Sequence, residues 1–223
     1  MLGGMGPEAA AELYRRIIRL FQRKYDAKYD DDFPEILLMS IPLPDVVEKP
    51  QEIEKIELML TNGVKNLEIA GADFIVIPCN TVTYFLPAMR KAVSISLIDI
   101  VEETAKEVAN QKLRKVGLLA TEFTVNRKLY NRVLPRVGFV FPRKKEQMKV
   151  TSAIMNVLSG RKKQKDRKLL RQLIEKMTRL GAEKVILGCT EIPLLTGKSR
   201  TVIDTLDVLA KAAVRESTKP SGL

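Results

Sequence analysis

The segment GADFIVIPCNT, residues 71–81, recurs along the chain as GAEKVILGCTE, residues 181–191. Each copy reads glycine, alanine, an acidic residue, a short apolar run and a cysteine, with the same spacing throughout. A second match follows each copy. LID at residues 97–99 and VID at residues 202–204 each stand just before a predicted helix. Two matches in the same order predict a duplicated architecture of two related halves, each contributing one cysteine.

Outside this repeat, short apolar segments alternate with segments of helical periodicity, of which residues 7–24 are typical. Short apolar strands separated by helices indicate parallel sheets covered on both faces, so the predicted fold class is α/β. We place a first α/β domain at 1–98 plus 204–223 and a second at 99–203. The predicted helices are 7–24, 53–70, 100–109, 125–134, 146–158, 166–180 and 206–214, and the predicted strands are 36–39, 74–77, 96–98, 116–120, 138–141, 184–188 and 202–203.

The chain of 223 residues contains no histidine and only two cysteines, Cys79 and Cys189. The lack of histidine excludes Ser-His-Asp triads, Cys-His dyads and every metal site that uses a histidine ligand. Two cysteines are too few for a cysteine-only zinc site or a disulfide framework. Any proton chemistry must therefore come from Cys, Asp, Glu, Lys or Tyr, and we expect no bound metal.

The net charge of +11 is concentrated in one part of the chain. Residues 127–179 contain 17 Lys and Arg against 3 Asp and Glu, and the remaining residues are slightly acidic. One interpretation is a site for a polyanion such as nucleic acid. The other is a solvated loop and helix face, which is favoured because no aromatic residue interleaves the densest part, 161–168. We therefore do not expect a nucleic-acid partner.

The sequence gives no sign of a membrane or export segment. No apolar run approaches the roughly 18 residues that a membrane-spanning helix needs. Residues 1–7 lack the basic and apolar regions of a signal peptide. We therefore expect a cytoplasmic protein with no membrane contact.

Cys79 and Cys189 each follow a predicted buried strand and precede a predicted helix. Parallel sheets place such residues at their carboxyl edge, where α/β proteins bind ligands. A helix N-terminus lowers the pKa of a thiol, so we expect both to be reactive. An inert buried thiol is the alternative for either one alone. If the two halves face each other, one thiolate can take a proton from a carbon while the opposing thiol returns one to the other face.

Three segments occur in order along the chain: GGMGP at residues 3–7, PCNT at 78–81 and GCTE at 188–191. Together they resemble the aspartate/glutamate racemase family, in particular its aspartate racemase branch, and the resemblance extends over nearly the whole chain. It implies two pseudo-symmetric α/β domains with the active site in the cleft between them. It also implies catalysis without pyridoxal phosphate or any other cofactor, and a homodimer. The family begins with a full first strand, of which only Met1 and Leu2 stand here before the first segment.

The resemblance also implies roles for single residues. Cys79 and Cys189 match the two acid/base thiols of the family. Met5 and Gly6 match the loop that closes the site. The family positions around the substrate's amino and carboxylate groups are matched by Asn80, Thr81, Thr121 and Thr190.

Some positions depart from the family pattern. Val46 stands where aspartate racemases have an arginine that pairs with a substrate carboxylate, and Ser159 stands where they have a lysine. Thr83 replaces a histidine, and Phe123 replaces a glycine. Two outcomes follow for the substrate. Either a basic residue from 161–165 reaches the site and the substrate is acidic, or the pocket beside Val46 is apolar and a neutral side chain is preferred.

The sequence thus predicts a cofactor-independent amino-acid racemase that uses two-cysteine proton transfer at the α-carbon. Aspartate or a related amino acid is the expected substrate. Two alternatives stay open: a non-racemising relative of the same fold that binds a small molecule, and a nucleic-acid-binding accessory that uses 127–179. Exchange of the α-proton with deuterated solvent distinguishes the first two, and salt-dependent retention of DNA or RNA tests the third.

Overall fold

A computed structural model describes residues 1–47, 52–197 and 199–219 of the chain. Strands and helices alternate along these residues, as the sequence pattern predicts. The strands are β1 (Leu2–Gly3), β2 (Met39–Ser40), β3 (Phe74–Val76), β4 (Ser96–Ile98), β5 (Lys115–Ala120), β6 (Gly138–Val140), β7 (Lys184–Gly188) and β8 (Val202–Asp204). The α-helices are α1 (Pro7–Lys24), α2 (Ile53–Ile69), α3 (Leu86–Ala92), α4 (Ile100–Asn110), α5 (Glu122–Asn126), α6 (Leu129–Val133), α7 (Lys144–Leu158), α8 (Gln164–Arg179), α9 (Pro193–Thr196) and α10 (Thr205–Ser217).

Every strand pair in the described part of the chain is parallel. β1 pairs with β2, β3 pairs with β4, and the other four strands form one sheet in the order β6-β5-β7-β8. β5 and β7 are paired along five residues of each strand, from Val116 opposite Lys184 to Ala120 opposite Gly188. The predicted α/β class with mainly parallel sheets is confirmed. The division into 1–98 plus 204–223 and 99–203 stays a prediction.

The sequence repeat is also a repeat of local geometry. Both α2 and α8 are followed by a glycine with positive φ, 92° at Gly71 and 91° at Gly181. The next alanine N–H then donates to a carbonyl of the preceding helix, at 3.1 Å from Ala72 and 3.0 Å from Ala182. Glycine adopts this backbone conformation at little cost, whereas other residues are strained in it. Each copy therefore ends its helix in the same way and turns the chain into β3 or β7.

The second match of the repeat begins a helix in both halves. Asp99 Oδ1 accepts the Val101 N–H at 2.9 Å, and Asp204 Oδ1 accepts the Leu206 N–H at 3.0 Å. A carboxylate at this position satisfies a backbone donor that the first turn of a helix leaves free. Asp204 Oδ2 also accepts from Arg16 Nη1 at 2.6 Å, which joins the start of α10 to α1.

The two cysteine segments are attached to different apolar cores. Cys79 belongs to the core formed by β3 and the inner face of α2, where Ile56, Leu60 and Val64 are fully buried. Cys189 belongs to the core formed by β7, α7 and α8. α10 packs against α1 and α4 in a third apolar cluster. No helix in the described residues is long and apolar enough to cross a membrane.

Two predicted elements differ from those observed. The strand predicted at 36–39 is paired only at Met39–Ser40, because its partner β1 is itself two residues long. The helix predicted at 125–134 is two short helices, α5 and α6, because the chain turns at Lys128 with a φ of 54°. The pattern did not predict α3 and α9, the helices that follow the two cysteine loops.

Candidate active site

Cys79 and Cys189 lie at equivalent places in the two halves. Cys79 follows β3 after Ile77 and Pro78, and Cys189 follows directly on β7. Both side chains are buried. A single 3-10 turn, Thr81–Phe85, follows the first cysteine, and the four-residue helix α9 follows the second. The structure therefore places both thiols at the carboxyl ends of strands, as predicted.

Side chains from the two halves meet at this edge. Thr190, next to Cys189, donates its hydroxyl to the carbonyl oxygen of Pro78 at 3.1 Å. The hydroxyls of Thr81 and Thr121 are 3.0 Å apart, and Thr121 comes directly after β5. Cys79 is also near enough to Cys189 for its charge to raise the pKa of the Cys189 thiol. These contacts bring five of the predicted site residues into one buried cluster: Cys79, Thr81, Thr121, Cys189 and Thr190.

Asn80 joins the cluster through its amide group. Its Oδ1 accepts from the Tyr130 hydroxyl at 2.6 Å, and its Nδ2 donates to Thr205 Oγ1 at 3.3 Å. Thr205 in turn donates to the carbonyl oxygen of Leu187 in β7 at 2.9 Å. Asn80 thus links the first cysteine loop to both α6 and β7. Its predicted contact with the substrate stays a prediction.

Glu191 is a site residue that the sequence analysis did not assign. Its side chain is 4 % exposed, and its Oε2 accepts from Cys189 Sγ at 3.0 Å and from the Thr190 hydroxyl at 3.2 Å. Its Oε1 has no hydrogen-bond partner among the described residues. The repeat could have identified this residue. Glu191 is aligned with Thr81, and it is the only acidic residue in the two motifs PCNT and GCTE.

Burial controls the ionisation of both thiols. Burial first, and the Glu191 charge second, raise the pKa of the Cys79 thiol to about 12, although N–H groups of Val82 and Thr81 lower it. The same two causes hold the pKa of Cys189 well above its ordinary value. Burial also raises the pKa of Glu191. The prediction that a helix N-terminus lowers the two thiol pKa values is wrong, because desolvation outweighs the few N–H groups that such short helical turns supply.

The loop of residues 3–7 covers this cluster. Met5 is buried in the same apolar core as Cys79. Gly6 has a φ of 49°, and a Cβ at this position would overlap with Glu191 Oε1 and press on Leu158. Glycine is therefore required here both by the backbone conformation and by the close approach of Glu191.

Both positions where aspartate racemases have a cation, Val46 and Ser159, carry an uncharged residue here. Val46 is buried in the apolar core of Cys79, and Val47 in that of Cys189. The Ser159 hydroxyl donates to carbonyls of its own helix, α7. Lys162 pairs with Glu8, and Lys163 Nζ donates to Asn156 Oδ1 at 3.0 Å.

The other two departures lie at the edge of the cluster. Thr83 donates to Asp99 Oδ1 at 2.8 Å. Phe123 meets the Tyr84 ring edge-to-face with centroids 5.4 Å apart, and the Arg127 guanidinium lies over both rings. Phe123 thus connects the segment after β5 to the turn after Cys79.

A small cavity adjoins Cys79, with Thr83 and Asp99 among its lining residues. Its volume of about 10 Å³ is close to the space of one water molecule. An amino acid is much larger, so its binding beside Cys79 requires the surrounding loops to open.

The comparisons with known proteins agree with this geometry. Residues 2–213 match the family model described as Asp/Glu/Hydantoin racemase. The chain belongs to the Asp/Glu/hydantoin racemase family. It is 29% identical over 218 residues to the broad specificity amino-acid racemase RacX of Bacillus subtilis (strain 168), a match that covers 96% of this chain and 95% of that protein.

Solved structures in the family have the same fold. The aspartate racemase of Picrophilus torridus superposes with a TM-score of 0.84 at 26% identity, over 99% of this chain and 94% of that chain. An aspartate racemase homologue from Pyrococcus horikoshii OT3 superposes with a TM-score of 0.80 at 26% identity, over 98% and 97% of the two chains. The predicted family is thereby confirmed, and this protein is similar to racemases over nearly its whole length.

Proposed function

We propose that this protein racemises an α-amino acid by proton transfer between the α-carbon and two thiols, Cys79 and Cys189. One thiol, once ionised, removes the α-proton, and the electron pair of the C–H bond stays on the carbon and spreads into the carboxylate. The other thiol donates its proton to the opposite face, where that electron pair forms the new C–H bond. The two thiols end with exchanged protonation states, so the reaction consumes no cofactor.

The observation that carries this proposal is the meeting of the two cysteine loops. Cys79 and Cys189 follow equivalent strands of the two halves, and the Thr190–Pro78 hydrogen bond ties their loops together. Two-base racemisation needs an acid and a base on opposite faces of one carbon, and two related halves supply such a pair. A binding protein of this fold has no need for a thiol in both halves.

The surrounding hydroxyl and amide groups suit an amino-acid substrate. We assign the substrate's amino and carboxylate groups to Asn80, Thr81, Thr121 and Thr190, with Met5 and Gly6 in the loop above them. Hydroxyl groups that donate to the substrate carboxylate stabilise the negative charge that spreads into it when the α-proton leaves. Burial raises the pKa of both thiols and so makes thiolate formation costly, and stabilisation of the charge on the substrate offsets part of this cost in the transition state.

For the side chain of the substrate, two candidates compete. Aspartate or a related acidic amino acid is the candidate that family resemblance supports. A neutral side chain is the candidate that the local environment favours, because Val46 is buried among apolar residues while Lys162 and Lys163 are held by Glu8 and Asn156. A buried carboxylate without a cationic partner is strongly unfavourable. We therefore propose a neutral amino acid ahead of aspartate.

Exchange of the α-proton in deuterated solvent, measured over a panel of L- and D-amino acids, tests the proposal. Cys79→Ser and Cys189→Ser keep the side-chain size but replace the thiol, so each should abolish racemisation. Ser217→Ala, at the end of α10, is a matched control that should racemise at the wild-type rate. Unchanged racemisation in both cysteine variants would contradict the two-thiol mechanism.

The alternative functions give other results. Binding of an amino acid with no α-proton exchange would favour the non-racemising relative. Salt-dependent retention on DNA or RNA would favour the accessory that uses 127–179. The expected homodimer is also part of the proposal, and light scattering on the purified protein measures it.

A further inference from the structure

The two cysteines, although equivalent in the repeat, differ in the side chain that meets the sulfur. Cys189 Sγ lies 3.0 Å from Glu191 Oε2 and donates to it. Both sulfurs have backbone N–H donors, from Val82 and Thr81 at Cys79 and from Glu191 at Cys189, but the side chain that acts on Cys79 is the Thr81 hydroxyl rather than a carboxylate. An acceptor beside a sulfur favours the thiol, and donors beside it favour the thiolate.

The repeat shows where this difference arises. Thr81 and Glu191 occupy the same position of the two copies, two residues after each cysteine. One half therefore carries a hydrogen-bond donor at this position and the other an acceptor. The two halves of the site have diverged at the residue that touches the sulfur.

We infer that Glu191 is a positioning residue that holds Cys189 as the protonated member of the thiol pair, so that Cys79 is the thiol that ionises first. The effect of Glu191 on Cys189 does not depend on the proposed function, but its consequence for catalysis does. That consequence is that Cys79 begins as the base, while Cys189 gives its proton to the carbon and keeps the electron pair of its S–H bond. A Cys189 thiolate beside the Glu191 carboxylate is unfavourable. The two thiols therefore tend to return to the state in which Cys189 is protonated and Cys79 is the one that ionises.

Close packing keeps Glu191 in this orientation. Its Oε1 lies against Gly6, where even a Cβ would overlap with it. Its other oxygen, Oε2, also accepts from the Thr190 hydroxyl at 3.2 Å. The carboxylate therefore cannot turn away from Cys189 without moving the loop that contains Gly6.

Few other ionisable groups act on this pair in the described part of the chain. The charge of Cys79 acts on Cys189, and the charge of Cys189 in turn acts on Tyr130. Glu8 acts on Glu191 from the start of α1, and Lys162 pairs with Glu8. Glu8 therefore offers a control in which a nearby charge is removed without touching the sulfur.

The test measures the ionisation of Cys189 itself, with no need for racemisation. Alkylation by iodoacetamide, followed at each cysteine by mass spectrometry over a range of pH, reports the thiolate fraction of each. In the wild-type protein, Cys79 should be alkylated before Cys189. Glu191→Gln should raise the alkylation rate of Cys189 about ten-fold or more at a given pH, since one pKa unit corresponds to a ten-fold change in thiolate. Glu8→Gln should leave that rate within about two-fold.

Two results would overturn the inference: alkylation of Cys189 before Cys79 in the wild-type protein, or an unchanged Cys189 rate in Glu191→Gln. If Glu191→Gln does not fold, Glu191→Asp withdraws the carboxylate by one methylene and should also raise the Cys189 rate. If the Cys189 rate responds as expected while no amino acid is racemised, the proposed function fails and the role of Glu191 stands.

Discussion

Thr190 donates its hydroxyl to the carbonyl oxygen of Pro78 across 112 residues of sequence, at a distance of 3.1 Å. The donor follows the second cysteine and the acceptor precedes the first. This buried hydrogen bond therefore joins the two cysteine loops directly. The same hydroxyl lies 3.2 Å from Glu191 Oε2, so its loss should affect both the loop contact and the carboxylate beside Cys189.

Thr190→Val should lower the free energy of unfolding by about 1–3 kcal/mol, because it leaves a buried carbonyl without its donor. Thr178→Val is the matched control, since the Thr178 hydroxyl only donates to the Ile174 carbonyl of its own helix at 3.0 Å. That change should stay within about 0.5 kcal/mol. Urea denaturation of both variants measures the difference, and equal losses would contradict a special role for Thr190.

The two aspartates that begin α4 and α10 should respond oppositely to replacement by asparagine. Burial raises the pKa of Asp99 to about 6, so its charged form opposes folding at neutral pH. Asp204 is stabilised by its ion pair with Arg16. Asp99→Asn should therefore raise the free energy of unfolding at neutral pH by on the order of 1 kcal/mol. Asp204→Asn should lower it by about 2 kcal/mol.

The pH dependence of these variants checks the sign. A carboxyl whose pKa is higher in the folded state favours folding when it is protonated, and this contribution is lost as the pH rises from about 4 to 6. Unfolding curves at a series of pH values should show the stability of the wild-type protein falling relative to that of Asp99→Asn over this window, since the other carboxyl groups are common to both proteins. Identical curves would contradict the raised pKa of Asp99.

Cys79 should contribute a second loss of stability in alkaline solution. Its pKa is about 12 in the folded protein against an ordinary value of 9.0, so the folded state retains its proton longer than the unfolded chain does. The contribution of the Cys79 thiol to the free energy of unfolding is fully present below about pH 9, and it is lost as the pH rises toward 12. The comparison of wild-type protein with Cys79→Ser isolates this group from the lysines and tyrosines that titrate in the same range. The serine variant should lose less stability.

The repeat explains why so much of the fold could be predicted. The glycines Gly71 and Gly181 and the helix-capping Asp99 and Asp204 act through local backbone geometry, which a sequence pattern records directly. The apolar strands were found because parallel strands buried on both faces are apolar along their length. The break at Lys128 was missed because the residues on both sides of it continue the helical pattern.

The site was predicted less completely than the fold. Thr81, Thr121 and Thr190 contact one another's loops because they stand at the ends of strands that lie in adjoining sheets, while their roles toward the substrate stay predictions. Glu191 and Tyr130 were not predicted as site residues, because their contacts with Cys189 and Asn80 arise from tertiary packing. The direction of the thiol pKa shifts was wrong for the same reason, since sequence shows the helix N-terminus but not how fully a side chain is buried.

Gly6→Ala should disturb the site more than a similar change elsewhere. The new methyl would overlap with Glu191, in addition to the strain of a φ of 49°. Gly160→Ala is the control, because Gly160 has a φ of 75° but no atom within 4 Å of a Cβ there. We expect a loss of about 1–2 kcal/mol in the control, from backbone strain alone, and a larger loss in Gly6→Ala. Thermal unfolding compares the two, and equal losses would contradict the close contact with Glu191.

Alanine replacement of Arg161, Lys162 and Lys163 together should leave substrate preference unchanged. Lys162 pairs with Glu8, and Lys163 donates to the buried Asn156, so we expect neither to supply a cation to the substrate. The measurement is the ratio of kcat/KM for aspartate to that for a neutral amino acid. A ten-fold fall in that ratio in the triple variant would show that the basic segment does reach the site.

Val46→Arg should shift preference toward an acidic substrate. Val46 is buried in the apolar core that contains Cys79, and the family resemblance implies a cation at this position. A charge-assisted hydrogen bond from arginine to a substrate carboxylate contributes about 1.5–3 kcal/mol. The kcat/KM of aspartate relative to a neutral amino acid should therefore rise by about ten-fold or more. Val46→Met adds length without charge and should leave this ratio within about two-fold, so an equal rise in both variants would show that space rather than charge limits aspartate.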